Sequence, residues 1–443
     1  MTPSTTGGLA AIEASALAGL GKEALGWNHK AAPVAAYGTS TRDFAEARHA
    51  LAELQTPLLT LDAVAMAHNL DTMAAWCAQH GVLLAPHGKT TMAPQLWAEQ
   101  LNRGAWGITL ANFAQLRVAR KFGVQKLMLA NSLTDPHAIE WVAGEVASGA
   151  TILSWVDSTD TVHRLERVLA ATNSAGLDVL VELGGTGGRT GARSVSAALE
   201  VARSVAASPS LRLVGVSGYE GSLAHTAEAG SIAKVRAYLE DMKELHESLL
   251  AEALYDSGDV IITAGGSAYF DDVVEVLSPC MTGNGAPRVN LVIRSGAYVA
   301  HDDGFYRGIS PFSREQFLRG GGQPFRTAMH GWARVVSQPE PGLAILDAGK
   351  RDLPVDEGLP IPRAIGSELG TAMEPLEGAT ITAVNDQHCF LSFDPKTTTV
   401  KIGDVVRLGL SHPCTAFDKW TLIPVLADTD NDPTVVDLIR TFF

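Results

Sequence analysis

Cysteine is scarce in this chain of 443 residues. Cys77, Cys280, Cys389 and Cys414 are its only four, at scattered spacings that make no disulfide framework. Such usage suits a reducing, cytoplasmic setting. Positive charge is in deficit: Lys+Arg total 34 against Asp+Glu 48, a net charge of -14. That balance argues against a nucleic-acid surface and for a protein that binds something small. No apolar run reaches the roughly 18 residues of a membrane span. The first residues lack the basic-then-apolar pattern of a secretory signal, so none is expected. Aromatics are few, but with 46% hydrophobic and 19% charged residues the chain can build a sizeable core and is not globally disordered. Its length suits roughly two to three average domains, enough for one large barrel and a smaller partner.

The chain has three rhythms. Residues 1–55 are Ala- and Gly-rich, with an amphipathic stretch from about Phe44 to Leu54. They are expected to form a partly helical lead-in that packs on a later β domain. From about 56 to 325, short Val/Ile/Leu-rich runs alternate with segments of helical periodicity. The runs at 81–86, 107–111, 126–130, 151–156, 178–183, 213–219, 259–264 and 289–294 are eight strand candidates, the count and spacing of a (β/α)8 barrel. A doubly wound sheet would show a similar alternation, but no nucleotide-type Gly fingerprint opens the first unit. The run Pro57–Asp62 is a further strand candidate that either domain could claim. From 326 to 443 the candidates at 327–336, 344–347, 387–393 and 405–408 have little helix between them, as in a mostly β domain. The expected fold class is therefore α/β, a TIM-type barrel followed by a second, mostly β domain.

Barrel chemistry sits at the C-terminal ends of the strands. The first strand ends in Pro86-His87-Gly88-Lys89-Thr90, which points Lys89 at the mouth. A lysine with apolar surroundings has a lowered pKa and can form an imine; a surface lysine after a turn is the plain alternative. The fifth ends in Glu182-Leu-Gly-Gly-Thr-Gly-Gly-Arg189, where glycines admit a ligand and the arginine suits an anionic oxygen. The seventh and eighth run into Gly265-Gly266-Ser267 and Arg294-Ser295-Gly296-Ala297-Tyr298, the frequent phosphate site of barrels. Far downstream, His412-Pro-Cys414 offers two donors for a soft cation such as Zn²⁺. Two ligands are too few for a structural site, so a metal there would sit in an open, catalytic one. Asp386 and His388 are candidates to support or complete it, or are simply a polar surface pair.

In that order, Pro-His-x-Lys-Thr, Arg-x-Gly, Gly-Ser, Arg-x-Gly-x-Tyr and His-x-Cys make a more specific signal than any one motif. Over residues 55–425 the chain resembles the pyridoxal-phosphate enzymes of the alanine-racemase fold (fold type III), and within them the D-serine dehydratase and D-threonine aldolase branch. The resemblance implies that Lys89 holds pyridoxal 5'-phosphate as a Schiff base and moves the substrate α-proton. It implies a phosphate cradle of Gly266, Ser267, Gly296 and Ala297, and cofactor contacts from Tyr219. Arg189 would lie near the cofactor's phenolic oxygen or the substrate carboxylate, and Arg294 near the pyridine nitrogen. His412 and Cys414 match the zinc pair of the dehydratases, with another divalent metal as the variant. The aldolase branch characteristically has His-x-Asp there, so Cys414 favours dehydration. Where relatives often read Lys-Thr-His, this chain has Lys89-Thr90-Thr91.

The implied activity is a zinc- and pyridoxal-phosphate-dependent lyase that converts D-serine or related D-3-hydroxy amino acids to 2-oxo acids and ammonia. Its first alternative is a metal-dependent aldolase giving glycine and an aldehyde. A non-catalytic pyridoxal-phosphate-binding protein is the alternative from another class, and the β domain and His-x-Cys argue against it. Racemisation needs a second acid/base on the opposite face, which the sequence does not identify. A metal-dependent barrel hydrolase would cluster several His and Asp at strand ends, where only His87 and His225 stand. By analogy with the fold a homodimer is expected.

Overall fold

The computed structural model describes residues 12–171, 176–282 and 287–443. The chain does not begin with the barrel. Its first strand, β1 (Leu58–Asp62), lies between strands that come more than 260 residues later, antiparallel to one and parallel to the other. The Pro57–Asp62 run thus belongs to the second sheet, and the expected boundary at 56 falls one strand early for the barrel. Asp62 ends that strand and starts the next helix, Ala63–His80. Its Oδ1 accepts the Ala65 N–H at 2.7 Å, and its Oδ2 accepts the Thr429 N–H at 2.7 Å from the far end of the sequence.

Eight parallel strands follow: β2 (Leu83–Leu84), β3 (Ile108–Leu110), β4 (Lys126–Ser132), β5 (Thr151–Val156), β6 (Leu177–Leu183), β7 (Leu211–Gly218), β8 (Asp259–Ala264) and β9 (Arg288–Ile293). Each pairs with the next from β3 to β9, and β9 pairs with β2. The ring closes where the Trp106 N–H donates to the Leu84 carbonyl at 2.7 Å and Thr109 N–H to Pro86 at 2.9 Å. All eight strand candidates fall on these strands. The barrel's interior is filled by Ala85, Met128, Leu153, Trp155, Leu180, Val214, Ile261 and Val292. Several outer helices begin at a side-chain cap: Asn112, Asp135, Ser158 and Ser194 each accept an N–H from three residues on. These caps fix where each helix leaves its strand, and so hold the loops at the mouth.

After the barrel come β10 (Met329–Glu340), β11 (Leu343–Leu346), β12 (Ile361–Gly366), β13 (Glu374–Pro375), β14 (Thr380–Val384), β15 (Cys389–Ser392), β16 (Val405–Gly409), β17 (Leu422–Asp428) and β18 (Asp432–Arg440). The main path of this sheet runs β13-β12-β16-β10-β1-β17-β18, with β11, β15 and β14 branching from β10. Leu25, Phe44, Leu51 and Leu54 of the lead-in share a core cluster with Leu58, Trp332, Val405 and Leu422. The amphipathic stretch from Phe44 is not one helix. It turns at Arg48, whose φ is 52°, and His49 folds back to stack on Phe44 at 4.1 Å. Among the described residues no helix is long and apolar enough to cross a membrane.

Candidate active site

The two domains meet over the barrel mouth around a cavity of about 590 Å³. It is lined from the barrel by Lys89, Arg189, Tyr219, Gly266, Ser267, Arg294, Gly296 and Ala297, and from the β domain by His412 and Cys414. All ten site residues read from the sequence therefore converge on one space. Asp386 and His388 do not join them. They lie on the β14–β15 turn, where Asp386 faces Arg351 at 3.4 Å.

Lys89 sits in a short 3-10 turn, Gly88–Thr90, at the end of the first barrel strand. Burial pulls its pKa down, and Arg189 and Arg294 add to that against the opposing pull of Cys414. The amine is thus biased toward its free, nucleophilic form. His87, two residues earlier, is pushed well below the usual histidine range by burial and by Lys89, Arg294 and Arg189. Its buried Nδ1 has no hydrogen-bond partner among the described residues, so a neutral imidazole faces the cavity with an unmet polar atom. Glu182 Oε2 is a second such atom, on a side chain only 6% exposed whose pKa burial raises.

The loops after β8 and β9 form a tight pair. Ser267 Oγ accepts the Ala297 N–H at 3.3 Å, and Ser295 Oγ donates to the Gly266 carbonyl at 2.8 Å. A Cβ at Gly296 would run into the His87 backbone, so glycine lets this loop lie against the lysine-bearing turn. A Cβ at Gly266 would stand 2.9 Å from the Tyr219 ring. The Gly266 N–H, however, is already given to Glu220 Oε1 at 2.8 Å, and the Gly265 N–H to its Oε2 at 2.9 Å. Glu220 is fully buried and shapes the loop; the Ala297 N–H goes to Ser267 Oγ only over a longer 3.3 Å, a bond that a bound phosphate could displace, so Ser267, Gly296 and Ala297 remain the cradle candidates. Arg294 is 5% exposed and donates to Thr263 Oγ1 at 2.7 Å and to the Gly218 carbonyl at 2.5 Å. Arg189 rests over the Tyr219 ring at 4.4 Å. An amine nucleophile, two guanidiniums and a glycine-lined cradle fit a phosphorylated aldehyde cofactor.

His412 and Cys414 belong to the turn after β16 and the short helix Pro413–Phe417. His412 has φ 59°, a left-handed backbone that is uncommon outside glycine and asparagine. Its Nδ1 is 2.5 Å from Asp356 Oδ2, and the ring also bonds the Cys414 side chain, so Nε2 is the nitrogen that a metal would take. Asp356 Oδ1 in turn accepts the Thr415 hydroxyl at 2.6 Å. A carboxylate that orients the far nitrogen of a ligating histidine is the usual support of a metal site. Against burial, Cys414 and Asp356 together hold the His412 pKa up at about 9, while His412, Thr90 and Lys89 draw the Cys414 thiol down. One soft sulfur and one imidazole suit a Zn²⁺-like cation, and no group of three or more His, Cys, Asp or Glu is gathered there among the described residues. The other positions of such an ion would go to water or substrate.

Sequence reasoning missed Asp356, Glu220, Asp302 and Tyr306. Tyr306 lines the cavity from the helix Phe305–Ile309, and burial, Cys414 and Tyr219 push its pKa well up. Nothing in the local pattern of these four residues separates them from ordinary surface acids and a core tyrosine.

Residues 328–426 match the family model described as "Putative serine dehydratase domain". The chain is 29% identical over 380 residues to the D-threonine aldolase of Arthrobacter sp, covering 85% of this chain and 90% of that one. It is 27% identical over 365 residues to the 3-hydroxy-D-aspartate aldolase of Paracoccus denitrificans, covering 81% and 85%. Among solved structures, the D-threonine aldolase of Filomicrobium marinum superposes with a TM-score of 0.71 at 23% identity, over 89% of this chain and 97% of that one. The D-threo-3-hydroxyaspartate dehydratase of Delftia sp. HT23 gives 0.68 at 20%, over 89% and 99%. The alanine racemase of Clostridium difficile 630 gives 0.57 at 12%, over 88% and 100%. The resemblance drawn from the motifs is thus borne out: in sequence the chain is a relative of the D-threonine and 3-hydroxy-D-aspartate aldolases, and its fold is that of the alanine-racemase-like enzymes.

Proposed function

We propose that the chain is a pyridoxal-phosphate- and divalent-metal-dependent lyase of D-3-hydroxy amino acids, and specifically a zinc-dependent dehydratase that forms 2-oxo acids and ammonia. Residues 56–325, less their first strand, are the cofactor-binding barrel, and 326–443 carry the metal pair. The observation that carries the reading is the single cavity in which Lys89 from one domain meets His412 and Cys414 from the other.

Bound pyridoxal phosphate would supply an electron sink that acidifies the Cα–H of an attached amino acid. Ser267, Gly296 and Ala297 would hold its phosphate, and Arg294 and Arg189 would face its ring and anionic oxygens. Lys89 is the base that takes the α-proton, with its amine free because burial disfavours the ammonium. It reaches from one strand end only, so it serves one enantiomer, the D form by resemblance. His412 and Cys414 would hold the metal, which when bound supplies Lewis-acid help to the departing β-hydroxyl. The His87 imidazole, kept neutral, adds no second cation beside the lysine.

The aldolase reading is favoured by one finding, the names of the two relatives. Against it stands Cys414, a more electron-donating ligand than the aspartate characteristic of that branch. A product assay with D-serine and D-threonine, with and without chelator, decides. Ammonia and a 2-oxo acid, lost on chelation, support dehydration; glycine and acetaldehyde from D-threonine overturn it in favour of cleavage. No cofactor absorption in the loaded protein overturns both readings and the role of Lys89. The homodimer implied by the resemblance and the cytoplasmic location suggested by the cysteine usage are part of the same proposal, and sedimentation of the loaded protein tests the first.

A further inference from the structure

The metal pair stands on the β domain, while the lysine, the cradle and Tyr306 stand on the barrel and its exit loop. Something must keep these two bodies in register to a fraction of an ångström, because a ligating imidazole tolerates little displacement. Asp302 occupies that position. It follows the last barrel strand, is fully buried, and divides its two oxygens between the two domains. Oδ1 accepts the backbone N–H groups of Gly304 at 3.1 Å, Tyr306 at 2.8 Å and Arg307 at 3.3 Å, which starts the helix that carries Tyr306 over the cavity. Oδ2 accepts the backbone N–H of His412 at 2.9 Å, from 110 residues away. That bond is made to the one residue of the metal turn whose backbone is left-handed.

The neighbouring contacts tighten the same seam. Asp303 N–H donates to the Leu410 carbonyl at 2.9 Å, and the Asp303 carboxylate takes Arg363 of β12 and Arg307. A Cβ at Gly304 would collide with Ser411 Oγ, so the exit loop is pressed directly on the residue before His412.

We infer that Asp302 is a positioning residue that locks the metal-bearing turn of the β domain to the barrel's exit loop, so that His412 and Tyr306 enter the cavity as one unit. It does not line the cavity; it acts through the His412 and Tyr306 backbones. The inference rests on the reading of His412 and Cys414 as a metal pair. An asparagine there keeps the shape but must turn an NH₂ toward N–H groups on one side, leaving that side without an acceptor.

The test uses the full chain loaded with cofactor, stripped of metal and titrated with Co²⁺, whose visible absorption reports thiolate and imidazole ligands. Asp302→Asn is expected to weaken Co²⁺ by about 10- to 100-fold and to alter the ligand-field spectrum, as supporting partners of metal ligands do. Its cofactor absorption should stay unchanged, which a general loss of structure would not allow. A Cys414→Ser protein that keeps the wild-type cobalt spectrum would overturn the metal-pair reading itself. A Cys414→Ser protein that loses the spectrum, beside an Asp302→Asn protein with wild-type affinity, would overturn only the role of Asp302. Gly304→Ala gives an independent arm: it should weaken Co²⁺ by wedging the seam, and Gly304→Ala with Ser411→Gly should recover affinity. Equal affinity in the Gly304→Ala single variant and the wild type counts against the seam.

Discussion

Cys414 Sγ lies 3.4 Å from Thr90 Oγ1, so the β domain's thiol donates to the hydroxyl next in sequence to the barrel lysine. The two residues are 324 positions apart. This contact brings the proposed metal pair to the lysine side of the cavity.

Lys89→Ala should abolish turnover and the near-visible absorption of the bound cofactor together, while the far-ultraviolet spectrum stays native. Lys89→Arg should behave the same way, since a guanidinium is neither an imine-forming nucleophile nor a base at neutral pH. Retention of the cofactor band in Lys89→Ala would remove the lysine from the mechanism.

Asp356→Ala should leave both donors in place but lower metal affinity or activity by about 10- to 100-fold, because the His412 ring loses its orienting partner. Cys414→Asp should keep metal binding and shift products from D-threonine toward glycine and acetaldehyde. A metal titration checks the first statement, and the partition of the two products, measured on one sample, checks the second.

Glu220→Gln should destabilise the fold by about 1–3 kcal/mol and loosen the cofactor. The glutamine can accept only one of the Gly265 and Gly266 N–H groups, and it leaves buried Arg294 with less compensating charge. Denaturant melts and equilibrium dialysis of the cofactor give the two readouts.

His301 is 3% exposed, and burial, with Arg307 adding, lowers its pKa from 6.5 to about 4. Between those values the unfolded chain binds the proton and the folded one resists it. Stability from this group is therefore complete above pH 6.5 and is lost as pH falls toward 4, by at most about 3 kcal/mol. His301→Asn, which tolerates the local φ of 34°, should show a smaller drop in melting temperature from pH 7 to 5 than the wild type. An equal drop would assign the acid sensitivity elsewhere.

The barrel was legible because strands buried on both faces read as unbroken apolar runs, as at Val179–Val181 or Val260–Ile262. The β domain was legible only in part. β12 alternates buried and half-buried residues and contains Pro362, β13 is two exposed residues, and β14 is mostly exposed, so no apolar run marks them. Lys89, Ser267, His412 and Cys414 could be found because their side-chain chemistry is unusual for their positions. Asp302, Asp356 and Glu220 could not, because they act by accepting hydrogen bonds from residues 110, 56 and 45 positions away. Aspartate and glutamate at such places look like any solvated acid until the chain is folded.

The placement of β1 sets an order on the molecule's assembly. During synthesis Leu58–Asp62 leaves the ribosome before any barrel strand, yet its partners β10 and β17 are made only after the whole barrel. The barrel is in effect a long insertion between the first strand of the β sheet and the rest. Until the segment from Met329 onward arrives, an apolar strand with both edges open must wait, the kind of segment that invites wrong pairing. The cavity can therefore be completed only after Cys414 has been made, and no prefix that ends within the barrel carries both sides of the site.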